Sequence, residues 1–180
     1  MTGRSVSGGD IHPCLALCNT LTSEEDRLTE PDHLARWYVA VGVASRLPAI
    51  DERELAAARA LRDGLRAALL AGDRPAVARL ADLWLEDAPG CLGVNLHSLE
   101  PRFIPEESSP HCLMVPAVLD ALALARDAPG RVRLCAAPGC GALFLDVSRN
   151  RSRRWCSMDR CGARAKASTY YRRRRAEERA

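Results

Sequence analysis

Four cysteines in the last third of the chain are the strongest constraint on its fold. They fall as Cys135-x4-Cys140, then fifteen residues, then Cys156-x4-Cys161. Two short pairs at this separation let each pair come from one turn while the chain between them folds back. Four thiolates then close a tetrahedron at about 2.3 Å per Zn–S bond. Such a site leaves no open position for water. The spacing therefore predicts one structural zinc ion per chain, held by Cys135, Cys140, Cys156 and Cys161, and not a catalytic one. The competing reading is two buried or redox-active pairs. A disulfide scaffold is not expected in a chain of 180 residues whose first 25 lack a basic start followed by an apolar segment. With no secretory signal, the expected compartment is the reducing cytoplasm.

Charge divides the chain at about the same place. Residues 1–130 hold 12 arginines and 19 acids, net −7, whereas residues 131–180 hold 14 Arg plus Lys and 4 acids, net +10. A chain split like this has two jobs. Arginine abundance is discounted, because Lys166 is the single lysine among 26 basic residues; the placement of the arginines carries the argument. A membrane span is excluded. The most apolar stretch, 113–125, is broken by Pro116 and Asp120 and falls short of the roughly 20 residues a spanning helix needs.

Along the acidic part the apolar residues recur at helical spacing. Residues 1–10 are Gly/Ser-rich and expected to fray. A short helix is expected over 13–21, with Cys14 and Cys18 on the face of Leu15 and Leu21, and a polar connection over 22–30. Pro31 suits the first position of a helix carrying Leu34, Trp37, Tyr38 and Val41, with Gly42 as its stop. Asp51 and Glu54 form a capping-box-like start. Leu55, Ala58, Leu61, Leu65 and Leu69 then mark one face, and Asp73 caps a further helix through Val77, Leu80, Ala81 and Trp84. After Pro89-Gly90 the period changes. Leu92, Val94 and Leu96 alternate as a half-buried strand, with 102–104 as its hairpin partner across Glu100-Pro101, followed by a polar loop over 106–110. Val115, Val118, Leu119 and Leu122 give the last helix. Cys14, Cys18, Cys91 and Cys112 are read as small buried hydrophobes. His12, His33, His97 and His111 are read as packing or surface residues.

The basic part begins after Pro129-Gly130. Residues 131–135 alternate as a short strand feeding the first ligand, 136–140 make a tight turn with Gly139 at positive φ, and 142–145 return as a second strand. A polar loop carries Arg149, Asn150, Arg151, Arg153 and Arg154. Ser157 or Asp159 caps a helix over about 160–175, with Cys161 in its first turn, where the positive end of the helix dipole favours a thiolate. That helix bears Arg164, Lys166, Arg172, Arg173, Arg174 and Arg175, and no acid between 160 and 175. Arg164, Ser168, Tyr171 and Arg175 share one stripe. The fold class expected is α+β: a mostly helical N-terminal domain with a small sheet (11–128), then a treble-clef-like zinc finger (131–176). A metal-anchored loop and helix rich in arginine match the phosphate backbone of DNA. The alternative is an RNA- or protein-binding zinc module, with Tyr170, Tyr171 or Trp155 stacking on bases. No Ser-His-Asp grouping, phosphate-cradling glycine loop or paired carboxylate is found, so the chain is not read as an enzyme.

These residues resemble a known family. The stretch CAAPGCGALFLDVSRNRSRRWCSMDRCGARAKASTYYRRRR is similar to the CGNR zinc finger, with Cys161-Gly162-Ala163-Arg164 in place of Cys-Gly-Asn-Arg. The segments PCLALCNTLT and PDHLARW are similar to the ABATE domain that precedes this finger in bacterial proteins. Asn19 and Thr20 are kept there, and Ala16 stands where the family usually has Asp. Together the resemblances span about 11–175. They imply a bacterial stress-induced transcription regulator whose finger binds DNA through a zinc site at Cys135, Cys140, Cys156 and Cys161. They also imply a first domain that senses or assembles. As in two-part regulators generally, the acidic domain is expected to bind a small-molecule effector or to pair the chain as a homodimer, which would suit palindromic DNA.

Overall fold

The computed structural model describes residues 12–86, 88, 90–94, 101–105 and 110–177. Residues 1–10, Leu96, His97, Glu100 and the 106–109 part of the expected polar loop lie outside the described residues. The architecture is α+β. Six helices and one hairpin form the N-terminal part: α1 Pro13–Cys18, α2 Pro31–Ala40, α3 Glu52–Ala71, α4 Arg74–Glu86, β1 Gly90–Val94, β2 Pro101–Pro105, α5 Pro110–Leu113 and α6 Val115–Asp127. The antiparallel β1–β2 pair runs in register from Gly90↔Pro105 to Val94↔Pro101. A second hairpin, β3 Val132–Leu134 with β4 Leu143–Leu145, leads into a π turn Met158–Gly162 and a final helix, α7 Ala163–Glu177.

Local chemistry accounts for the helices. Pro13 and Pro31 start α1 and α2, where a missing N–H costs nothing. Asp51 and Glu54 exchange bonds as a full capping box, the Glu54 N–H donating to Asp51 Oδ1 at 2.8 Å and the Asp51 N–H to Glu54 Oε2 at 2.8 Å. Asp73 Oδ1 accepts the Ala76 N–H at 2.9 Å ahead of α4. The expected faces are buried: Leu34, Trp37 and Tyr38 of α2, Leu55, Ala58, Leu61, Leu65 and Leu69 of α3, and Val77, Ala81 and Trp84 of α4. Cys14 and Cys18 are fully buried, as their small apolar character suggests. The histidines pack or lie at the surface: His12 Nδ1 meets Asp120 at 2.8 Å, His33 meets Thr29, and His111 stacks on Trp84 with centroids 4.1 Å apart.

Three boundaries differ from expectation. The first helix stops at Cys18, and Leu21 instead bridges to Asp26 across a tight loop. A short extra helix, α5, precedes α6. In α6 the buried face runs through Val115, Val118, Ala121 and Leu124, while Leu119 is exposed. Small alanines let α6 lie close against α1, so the packed stripe is rotated away from the larger leucines.

Among the described residues Arg62 is the largest fully buried side chain. Its guanidinium grips Asp26 with both forks, at 2.6 and 3.0 Å, and reaches Asp63 at 2.8 Å. This fork-to-fork geometry satisfies a charge that burial would otherwise penalise heavily. It fastens the α1–α2 loop to α3, and that loop seats the second hairpin. Val132 and Leu143 join the same apolar core as α1, α3 and α6, so the two parts share packing.

Candidate metal centre and basic surface

β3 delivers Cys135, whose N–H donates to the Ala142 carbonyl at 2.8 Å, so the chain turns back at once. Gly139 (φ 70°) and Gly141 (φ 61°) make that turn in the left-handed region. Both also lie against the N-terminal domain. A Cβ on Gly141 would collide with the Ser23 nitrogen, and one on Gly139 would overlap the Glu24 carboxylate. The second pair returns through the Ala136 N–H to the Arg154 carbonyl (2.9 Å) and the Cys156 N–H to the Cys135 sulfur (3.4 Å). Ser157 caps the π turn, its hydroxyl oxygen accepting the Arg160 N–H at 3.3 Å, and the turn holds Cys161 inward.

The four sulfurs lie within 4.8 Å of one another. The Cys140–Cys156, Cys156–Cys161 and Cys140–Cys161 separations are 3.7, 3.6 and 3.6 Å. A tetrahedron with Zn–S bonds of about 2.3 Å has edges of about 3.8 Å, so the donor set fits zinc in geometry as well as chemistry. Cys135, Cys140, Cys156 and Cys161 thus come together as expected. Burial raises a thiol, but N–H donors from Cys156 and Ala137 outweigh it at Cys135 and hold this thiol below its ordinary value. Burial, then the neighbouring sulfurs, pushes Cys156 and Cys161 up. Four crowded thiols resist losing all their protons unless a cation takes their place, so metal loading releases protons.

The loop after β4 is pinned by a residue the sequence reading passed over. Asp146 is fully buried. Its carboxylate accepts the Ser148 hydroxyl (2.5 Å), the Ser148 N–H (2.9 Å), the Arg153 N–H (3.1 Å) and Arg133 (3.3 Å). The Ser148 hydroxyl leads the groups that hold this carboxyl below the usual carboxylate range. Three arginines of the basic segment donate to backbone carbonyls: Arg131 to Asp146 and Ser148, Arg133 to Arg151 at 2.6 Å, and Arg153 to Trp155 at 2.9 Å and Cys156 at 2.5 Å. Arg153, counted among the expected phosphate contacts, is therefore engaged as a clamp beside the metal ligands, with its guanidinium 5.3 Å from the Phe144 ring centre.

The other expected contacts lie at the surface. Arg149, Asn150, Arg151 and Arg154 are exposed on the pinned loop, with Arg154 stacked on Trp155. Arg164, Lys166, Arg174 and Arg175 are exposed on α7, and Arg172 and Arg173 lie in the same helix. The principal packing partner of α7 is the π turn before it. Tyr170 and Tyr171 are 60% and 63% exposed, edge to face with each other. No described side chain of α7 is buried, and such a helix is stabilised at its start, here by Ser157 and the anchored Cys161.

Two further residues join the parts, and neither was singled out for that role. The Asn19 amide donates to the Leu143 carbonyl at 2.9 Å and accepts the Leu143 N–H at 2.6 Å. It gives β4 what a third strand would give. Arg66 bridges the carbonyls of Cys18 and Gly141. A readable signal existed for Arg62, a charge seven residues from both Leu55 and Leu69 on an apolar face. For Asn19 the signal was its retention in the resemblance; Arg66 gave none.

Comparison with known families follows this division. The family model for the CGNR zinc finger matches residues 131–174, and that for ABATE, described as a putative stress-induced transcription regulator, matches residues 11–131. No curated protein matches the chain.

Proposed function

The chain belongs to the ABATE family and carries a CGNR zinc finger, and from that premise we propose that it is a transcription regulator, not an enzyme, and that it binds DNA through the finger. The single observation that carries this reading is the basic surface. An exposed arginine-rich loop and an exposed helix with no acid from 163 to 175 project from one four-thiolate site. Arg149, Arg151, Arg154, Arg164, Lys166 and Arg175 would contact phosphates, with Asn150 as a neutral hydrogen-bonding partner. The acidic first domain would then serve as the sensing or assembling half.

The test is a mobility-shift series with duplex DNA at several salt concentrations. Binding weakens steeply with salt, with a log–log slope of about −0.9 per phosphate contact. Replacing Arg164, Lys166 or Arg175 by alanine lowers the slope by about one contact each, with zinc content unchanged. Arg153→Ala is unsuited to this purpose, since it also frees the carbonyls of Trp155 and Cys156. Salt-insensitive binding weaker than about 10⁻⁴ M overturns the proposal. The exposed Tyr170–Tyr171 pair favours one second reading, structured or single-stranded RNA, which would compete better than duplex DNA.

A further inference from the structure

The four metal-binding sulfurs are not equivalent. Cys135 and Cys161 are buried, whereas Cys140 and Cys156 are half-buried. These two, with the buried Cys161 behind them, line an open groove of about 940 Å³ between the finger and the N-terminal domain, together with Leu15, Asn19, Glu24 and Arg164. Their sulfurs lie 3.7 Å apart. The Cys135 sulfur accepts the Cys156 N–H at 3.4 Å. Among the described residues no N–H donates to the sulfur of Cys140 or Cys156. The other described cysteine side chains, Cys14, Cys18 and Cys112, are fully buried. A small oxidant diffusing into this protein therefore meets one pair of thiolates first, one from each end of the finger.

We propose that Cys140 and Cys156 form an oxidation site for hydroperoxides, and that their disulfide unloads the metal. The Cys140 thiolate attacks one peroxide oxygen. The S–O bond forms, the O–O bond breaks, and the departing oxygen takes a proton from water. The Cys156 thiolate then attacks the sulfenic sulfur. The S–S bond forms, and hydroxide leaves and is protonated. Two thiolates, one hydroperoxide and two protons become one disulfide, one alcohol or water, and one further water. Cys135 and Cys161 alone are too few donors to keep a structural zinc ion. The start of α7 then loses its anchor. Thiol reductants reverse the step, because it stops at the disulfide.

The experiment uses the full zinc-loaded chain treated with hydrogen peroxide. A chromophoric zinc chelator follows release, and quenched samples are mapped by peptide mass spectrometry. The expected result is one zinc released per chain in step with a Cys140–Cys156 disulfide, modified about tenfold faster than Cys135 or Cys161. Reductant plus zinc restores the loaded form. A first disulfide at Cys135–Cys161, equal rates at all four sulfurs, or retention of zinc in millimolar peroxide each overturns the proposal. None of these readouts depends on DNA binding.

Discussion

Around α1, α3 and α6 the chain buries Leu17, Leu34, Leu65, Met114 and Val118 completely, whereas the finger's own buried cluster is Cys135, Ala137, Phe144 and Cys161. A fully buried aliphatic side chain contributes about 1.5–3 kcal/mol by leaving water. The N-terminal part thus has a core that stands on burial. In the finger, two of the four residues in that cluster are metal ligands. The rest of its order comes from a buried carboxylate and from arginines aimed at carbonyls. A region with few apolar contacts depends on point attachments, and its stability rests on each of them. Among the described residues nothing apolar covers the cationic surface presented by the loop and α7.

Removing the metal is the strongest way to break this contrast. Structural zinc sites supply on the order of 10 kcal/mol of binding free energy that doubles as folding free energy. Chelation should melt α7 and the 135–140 turn while the N-terminal helices unfold cooperatively at nearly their former temperature. Far-ultraviolet circular dichroism and hydrogen exchange, before and after a strong chelator, read both halves. An α7 that stays helical without metal would show that the finger has a second source of order.

The next largest effect tests whether the N-terminal core depends on a point attachment after all. Truncating Asp26 to alanine removes the two-pronged partner of Arg62, which is 1% exposed, leaves it Asp63 alone among carboxylates, and should lower global stability by about 3 kcal/mol. The sign of its pH dependence follows from the carboxyl. Burial would raise it, but the Arg62 forks outweigh burial and hold it below the usual range. A depressed folded value gives stability that is complete above the unfolded value of about 3.9 and is lost as pH falls through the folded one. Chemical denaturation at neutral pH and at acid pH measures both effects. A loss under about 1 kcal/mol would mean that Asp63, already 2.8 Å from the guanidinium, and Thr20 at 3.4 Å satisfy Arg62 without Asp26.

What could be read from the sequence follows the same contrast. Helical faces repeat every turn, so many residues vote for one answer, and Leu55 to Leu69 of α3 were legible without coordinates. The thiolate quartet was legible because zinc requires four donors at restricted spacing. Asp146 was not. A carboxylate in a run of arginines and serines looks like any solvated loop residue until the chain curls round it. Leu119 misled for the opposite reason, since its size suggested a core position that α6 gives to Ala121. The seat between the parts was hidden as well, because Asn19 and Leu143 are 124 residues apart and no local pattern links them.

That seat gives the smallest and most selective prediction. Asn19→Ala removes two hydrogen bonds to Leu143 while leaving the thiolates, Asp146 and α3 in place. At about 1 kcal/mol each the loss is about 2 kcal/mol, and it should appear locally. The Leu143 amide loses its acceptor, so its exchange should quicken by more than tenfold with zinc content unchanged. Melting of the N-terminal helices should move little, because Val132 and Leu143 still bury their side chains against them. If the Leu143 amide exchanges as slowly as before, the burial of these two side chains holds the parts together and the amide is incidental. If zinc affinity falls too, the N-terminal domain helps to shape the metal site, and the division drawn above between a burial-built half and a metal-built half gives way at Asn19.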